Sequence, residues 1–228
     1  MPRAHRSLPK FLSAEQIKGL LAAVTNPHHR VIIRLALGSG LRKEELATFP
    51  LAYVFNPDRA NPSRNMRIDL DPSDGNGIKT KGSRARAIFI ARTLMRDLHQ
   101  YVVHHRSERV SFSKGPQQHL FLNQDGKAYS ADGKSLDRIV RLNGQKAGLR
   151  VWTHMLRHTY ATHTLVALQR NRDGNRLEPL VFLQKQLGHA SSQSTLIYLH
   201  LIQELADKAV LAYDDELDEL TRGTNGQA

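Results

Sequence analysis

The chain contains no cysteine. That excludes disulfides, thiolate nucleophiles and cysteine-ligated zinc, and it fits a reducing cytoplasm. No run approaches the roughly 20 consecutive apolar residues that a membrane span needs. The opening MPRAHRSLPKFLS lacks the apolar centre of a signal peptide. Acidic residues are also short: 21 Asp and Glu stand against 33 Lys and Arg, a formal net charge of +12 over 228 residues. A basic excess of this size points to a polyanion, most simply nucleic acid, with a merely basic soluble protein as the bland alternative. There is no Walker loop, no GxGxxG, no HExxH, no internal repeat and no low-complexity block. The 12 histidines do not change this, since no carboxylate cluster lies near His154 or His189 in sequence. No metal and no cofactor is expected.

Hydrophobic content is 40%, enough for a proper core. The periodicity predicts a mainly α protein with a small antiparallel β-sheet, an α+β fold. Residues 1–9 form a basic arm or linker remnant, 10–200 the main domain, and 201–228 a C-terminal helix with an acidic tail. Ser13-Ala-Glu-Gln16 is a capping box opening a helix from Ala14 to about Val24, ended by Asn26-Pro27. A second helix runs from His29 to about Ala47, loosened at Gly38-Ser39-Gly40 and closed by Pro50. At Gly40 the missing Cβ lets the chain turn or lets another backbone approach. Between Leu51 and Ile90 the period changes, and AYVF, MRIDL, GIKT and RAIFI are short β-favouring runs. Further helices are expected at Thr93–Arg106, Ser135–Ala147, Thr153–Gln169, Leu180–Leu187, Ser192–Leu199 and Ile202–Leu220. A polar interruption, RNRDGNRLEP, covers residues 170–179.

Several groups suit phosphate chemistry. His154 and Arg157 lie three apart and share a helix face. An arginine can clasp a phosphate with two parallel bonds, and an imidazole exchanges protons near neutral pH. Arg42 follows Gly40-Leu41, with Glu45 three positions on. Lys79 and Lys81 flank a turn. His189 follows Leu187-Gly188, and Tyr198 lies nine positions later on TLIYLHL. Each has an ordinary reading: a polar helix contact, a surface Arg–Glu pair, a solvated lysine, a structural histidine, a core tyrosine with a wet hydroxyl.

Taken together, GLRKEEL at Gly40–Leu46, KTKGSRARAIFI at Lys79–Ile90, HMLRHTYATH at His154–His163 and LGHASSQSTLIYLH at Leu187–His200 resemble the tyrosine recombinase (phage integrase) family. Each motif alone is weak, but their order and spacing agree with the family from about Leu8 to Ile202. Two features depart from its pattern: a longer connection through RNRDGNRLEP, and a start almost at the catalytic domain, where members usually carry an N-terminal helical DNA clamp first; the expectation is a fragment or a protein that lacks the clamp.

The resemblance implies a site-specific DNA recombinase or integrase that cuts and rejoins double-stranded DNA. Its intermediate would be a 3′-phosphotyrosyl link on Tyr198. Arg42 and Arg157 would hold the non-bridging oxygens, His154 would act as general base, and His189 would donate a hydrogen bond to the phosphate. Lys81 would be the general acid, with Lys79 the runner-up, and Glu45 would support the arrangement. It further implies a homotetramer on DNA, no membrane contact, and a cytoplasmic protein of bacterial or mobile-element origin. The segment after Ile202 would either dock on a neighbouring subunit or remain a solvated helix. The alternatives are a type IB topoisomerase-like relaxing enzyme and an inactive DNA-binding module.

Overall fold

The computed structural model describes residues 9–59, 63–170, 178–191, 193–199 and 202–203. The basic arm before Pro9, the centre of the 170–179 interruption and the acidic C-terminal segment after Gln203 lie outside these.

The capping box forms as read. Ser13 Oγ accepts from Gln16 N, Gln16 Oε1 accepts from Ser13 N, and α1 spans Ala14–Ala23. Asn26 then caps α2 (Pro27–Ser39), with Pro27 at the first helical position, where its missing N–H costs nothing. Val31, Ile32, Ile33, Leu35 and Ala36 are buried, and α2 packs against neighbours on several sides. The expected long second helix is divided. Gly40 takes φ +66 and ends α2, and α3 restarts at Lys43–Ala47.

The sheet is smaller than expected. It has two strands, β1 (Asn65–Leu70) and β2 (Arg86–Ala91), antiparallel with Asn65 opposite Ala91 and Leu70 opposite Arg86. Met66, Ile68, Leu70, Ile88 and Ile90 point inward at alternate positions. AYVF and GIKT are not strands. Leu51–Tyr53 is a turn of 3₁₀ helix, because Leu51 N bonds Gln118 O and Tyr53 Oη donates to Asp74. These tertiary partners override the β preference of an aromatic and β-branched run.

After β2 come α4 (Arg92–His104), the short α5 (Arg106–Val110), α6 (Lys134–Lys146), α7 (Thr153–Arg170) and α8 (Pro179–Leu187). Residues 193–199 form a last helix, α9. Beneath α2, the His28 ring bonds both Tyr101 Oη (2.6 Å) and Tyr129 Oη (2.9 Å), which ties α4 and the approach to α6 together. Burial, with Arg109 nearby, pushes its pKa down to about 3, so it is an uncharged polar joint.

The helix that positions the site is α7. Its first half contributes Met155 and Leu156 to the main core. Its second half, with Ala161 and Leu165, builds a smaller core with Leu183, Leu187 and Tyr198. Asp137 on α6 fixes its start, accepting from Thr153 N (2.8 Å) and Thr153 Oγ1 (2.9 Å). A carboxylate there also meets the positive end of the helix dipole.

Candidate active site

One wall of the site is an ion cluster. The Glu45 side chain is fully buried and accepts four hydrogen bonds. Arg42 N (2.8 Å) and Arg42 Nη1 (3.2 Å) come from within its own helix cap. Arg86 Nη1 (2.7 Å) and Nη2 (2.8 Å) reach it from β2 as a planar fork. Burial opposes charge on Glu45, but the bonds and charges of Arg86 and Arg42 outweigh it and hold the pKa below its ordinary value. Arg42 Nη2 also reaches Gly188 O (3.0 Å) and Arg86 Nε reaches Gln186 O (3.3 Å), linking both arginines to the end of α8.

Arg157 lies behind this wall, 2% exposed. Its Nη1 donates to Gly40 O and its Nη2 to Leu187 O (2.7 Å). Burial first, then the repulsion of Arg42, lowers its pKa to about 10, which still leaves it charged at neutral pH. Both carbonyls sit beside glycines that cannot be replaced without a clash. A Cβ on Gly40 would meet Tyr160 at 2.5 Å and Leu187 at 2.8 Å, and one on Gly188 (φ +63) would meet Arg86 at 2.7 Å.

Tyr198 is 1% exposed and packs in the smaller core. Its hydroxyl bonds His158 Nδ1 at 2.8 Å. The His189 ring lies parallel to it, centroids 6.3 Å apart, and His189 Nδ1 bonds Thr195 Oγ1 at 3.0 Å. Burial raises the phenol pKa to about 12, against the downward pull of Arg157 and Arg42. Burial and neighbouring charges lower His189 to about 3 and His158 to about 4. At neutral pH the phenol is therefore protonated and both imidazoles are neutral.

The chosen residues gather in one region. Arg42, Glu45, Lys79, Lys81 and the exposed His154 line a cavity of about 600 Å³. Arg42, Lys81, Arg86 and His189 line a second of about 860 Å³. Arg42 and Lys81 border both, with Arg157 and Tyr198 behind. Lys81 begins a 3₁₀ turn, Lys81–Ser83, and is exposed. One expectation is altered: His158, rather than His154, is the imidazole bonded to the phenol. The His154 and His158 rings stand edge to face, with centroids 4.4 Å apart. Positions 154 and 158 are one helical turn apart, so the motif spacing did not separate them. Arg86 and Thr195 were also missed. Arg86 lies inside the KTKGSRARAIFI motif, but nothing in the sequence pairs it with a carboxylate 41 positions earlier.

Among the described residues no group of three or more His, Asp or Glu side chains is placed to hold a metal ion, and no helix is long and apolar enough to cross a membrane. What the groups lining the two cavities can do is bind an anion such as a phosphate, with a buried phenol close by. A mainly helical fold with one small antiparallel sheet, holding guanidinium, ammonium and imidazole groups around a tyrosine, defines a phosphate-handling class of site.

The model of the phage integrase family matches residues 10–204, and the chain belongs to that family. It is 27% identical over 215 residues to tyrosine recombinase XerA of Pyrococcus horikoshii, covering 92% of this chain and 65% of that one. It is 31% identical over 212 residues to tyrosine recombinase XerC of Chlamydia trachomatis, covering 90% and 58%. The chain thus spans less than two thirds of the length of these curated relatives. Among solved structures, XerA recombinase matches with a TM-score of 0.64 at 25% identity, over 90% of this chain and 66% of that one. The XerH site-specific recombinase bound to palindromic difH substrate, in a post-cleavage complex, shares the fold with a TM-score of 0.67 at 22% identity, over 94% and 56%.

Proposed function

We propose that residues 10–200 are the catalytic domain of a site-specific DNA recombinase that cuts and rejoins strands through a phosphotyrosyl intermediate. The observation that carries this reading is the convergence of Arg42, Lys81, His154, Arg157 and His189 on one region, with the Tyr198 phenol behind it. Tyr198 attacks a DNA phosphodiester, the O–P bond to Tyr198 forms, and the bond to the 5′ oxygen breaks. Arg42 and Arg157 carry the non-bridging oxygens and offset the charge that grows in the transition state. His189 donates to the same phosphate, Lys81 protonates the leaving 5′ oxygen, and His154 faces the phosphate from the cavity. Glu45 supports Arg42. Reversal with a different 5′-hydroxyl joins new strands. The bond energy stays in the covalent link, so no nucleotide cofactor is needed.

The buried phenol adds a condition: a phosphodiester cannot reach Tyr198 where it stands, so α9 must shift when DNA binds. The basic excess follows the DNA backbone. The protein works in the cytoplasm on double-stranded DNA, as a homotetramer.

The test uses a pool of nicked duplexes with randomised flanks, which trap the covalent intermediate when the short cut strand diffuses away. An SDS-resistant adduct whose peptide maps to Tyr198 is expected. Tyr198→Phe should bind the captured duplex and form no adduct. An adduct that persists in that variant, or maps elsewhere, rejects the reading. Relaxation of supercoiled plasmid by the active protein without any strand exchange would favour the topoisomerase-like alternative.

A further inference from the structure

We propose that Gln186 is a positioning residue: its buried amide fixes the end of α8 against β2 and α2, and so sets where Arg42 and Arg157 stand. This rests on the reading of those two arginines as the groups that hold the scissile phosphate. The observation behind it is a run of three carbonyls. Gln186 O accepts from Arg86 Nε (3.3 Å), Leu187 O from Arg157 Nη2 (2.7 Å) and Gly188 O from Arg42 Nη2 (3.0 Å). The last carbonyls of a helix have no partner within it and form the negative end of its dipole. The end of α8 thus receives three guanidiniums, from the cap of α3, from β2 and from α7. A shift of this helix end moves an acceptor of each.

Gln186 holds that end in register. The residue is 2% exposed. Its Oε1 accepts from Phe89 N (2.8 Å) and its Nε2 donates to Phe89 O (2.9 Å), as a neighbouring strand would. Nε2 also reaches Ser39 O (3.4 Å), at the last residue of α2. The next residue, Gly40, gives its carbonyl to the other end of Arg157. One amide therefore ties together β2, the chain leading into Arg42 and the last turn of α8. Apolar packing is non-directional and would let the helix end slide along the strand. An amide bonded through both its oxygen and its nitrogen to one backbone residue selects a single register. The joint also lies on the opposite side of Gly188 from α9. Among the described residues none of the Gln186 side-chain bonds goes to α9. Movement of α9 that brings Tyr198 to the phosphate therefore need not break it.

Two measurements test this. Amide hydrogen exchange on the unmutated chain, free and bound to the duplex captured in the adduct assay, should show Phe89 N–H protected in both states. Free exchange in either state means that the joint is open there and overturns the proposal, whether or not any variant folds. The second measurement uses Gln186→Met, which keeps the length of the side chain and removes both bonds to Phe89. At a temperature where the variant is fully folded, DNA affinity should stay within a few-fold of wild type. Adduct formation should slow by roughly 10–10²-fold, the scale of a misplacement of about 1 Å. With a methylphosphonate at the scissile position, the charge that Arg42 and Arg157 offset is gone, and the ratio of wild-type to variant rate should shrink several-fold. A 5′-thio leaving group relieves Lys81 alone and should leave that ratio unchanged. A general loss of structure would give the same ratio on all three substrates; that result overturns the proposal, as does adduct formation at the wild-type rate. Those failures leave the nucleophile standing. If Tyr198→Phe still forms adduct, the reading of the whole site falls, and the proposal with it.

Discussion

Among the described residues, Glu45 holds Arg42 and Arg86 through four hydrogen bonds, whereas the hydroxyl of Tyr198 is held by one, to His158. The arginine corner joins α3, β2 and the end of α8. The tyrosine corner lies in the smaller core, on α9. The difference matches what each side has to do. Groups that stabilise a transition state gain by being fixed before substrate arrives, because no reorganisation is then needed during the reaction. On the proposed reading Tyr198 is a buried nucleophile that has to come out, so its element must be inexpensive to displace. The comparison predicts that damage on the arginine side shows first as lost stability, and damage on the tyrosine side first as lost chemistry.

The largest effect should come from Glu45→Gln. An amide cannot accept both arginine forks as a carboxylate does, and it leaves two guanidinium charges facing each other in a buried place. Breaking a buried pair by removing one partner costs about 3–5 kcal/mol. Denaturant unfolding should show a loss of that size, with cleavage falling alongside it. The pH dependence gives a second reading. The folded-state pKa of Glu45 lies below its ordinary value of 4.5, so the stability it adds is complete above that value. It is lost as pH falls through the depressed pKa. The wild-type chain should lose this part of its stability in acid, and Glu45→Gln should lack it at every pH. A Gln variant as stable as wild type at pH 7 would mean that the cluster is not the rigid side.

Much of this was legible in the sequence, and the gaps have physical causes. The Ser13–Gln16 box is local and was read correctly from neighbours within a few positions, whereas at Gly40 a loosened helix was expected and the helix is divided instead. The four motifs indicated which residues gather. What local pattern did not carry was pairing across distance. Arg86 finds Glu45 only because β2 lies beside α3, and Leu51–Tyr53 abandons a β-like run only because Gln118 and Asp74 bind it. The exchange of His154 for His158 at the phenol is subtler. Both rings are on the same helix one turn apart, and the tertiary contact of Tyr198 with His158 distinguishes them.

Lys81 should give the next effect, on chemistry alone. It is exposed and makes no ion pair among the described residues, so Lys81→Ala should leave the melting temperature nearly unchanged. Cleavage of ordinary DNA should fall by roughly 10²-fold or more, the usual scale for a lost general acid. A duplex with a 5′-thio leaving group needs little proton donation and should restore the rate. Rescue in Lys79→Ala instead would transfer the role to the lysine on the other side of Thr80.

The smallest effect, and the finest test of the comparison, is Thr195→Val. Valine keeps the shape of this buried side chain but removes the hydroxyl that bonds His189 Nδ1. One lost hydrogen bond with a partly buried partner costs about 1 kcal/mol. Among the described residues no hydrogen bond joins Thr195 to Arg42 or Arg157, so DNA affinity should hold. The His189 ring, no longer fixed, should spend part of its time turned away from the phosphate, and cleavage should slow by a few-fold. His189→Ala removes the donor altogether and should slow it further. If Thr195→Val slows cleavage as much as His189→Ala, ring orientation is the whole of the His189 contribution, and the tyrosine side is as tightly specified as the arginine side.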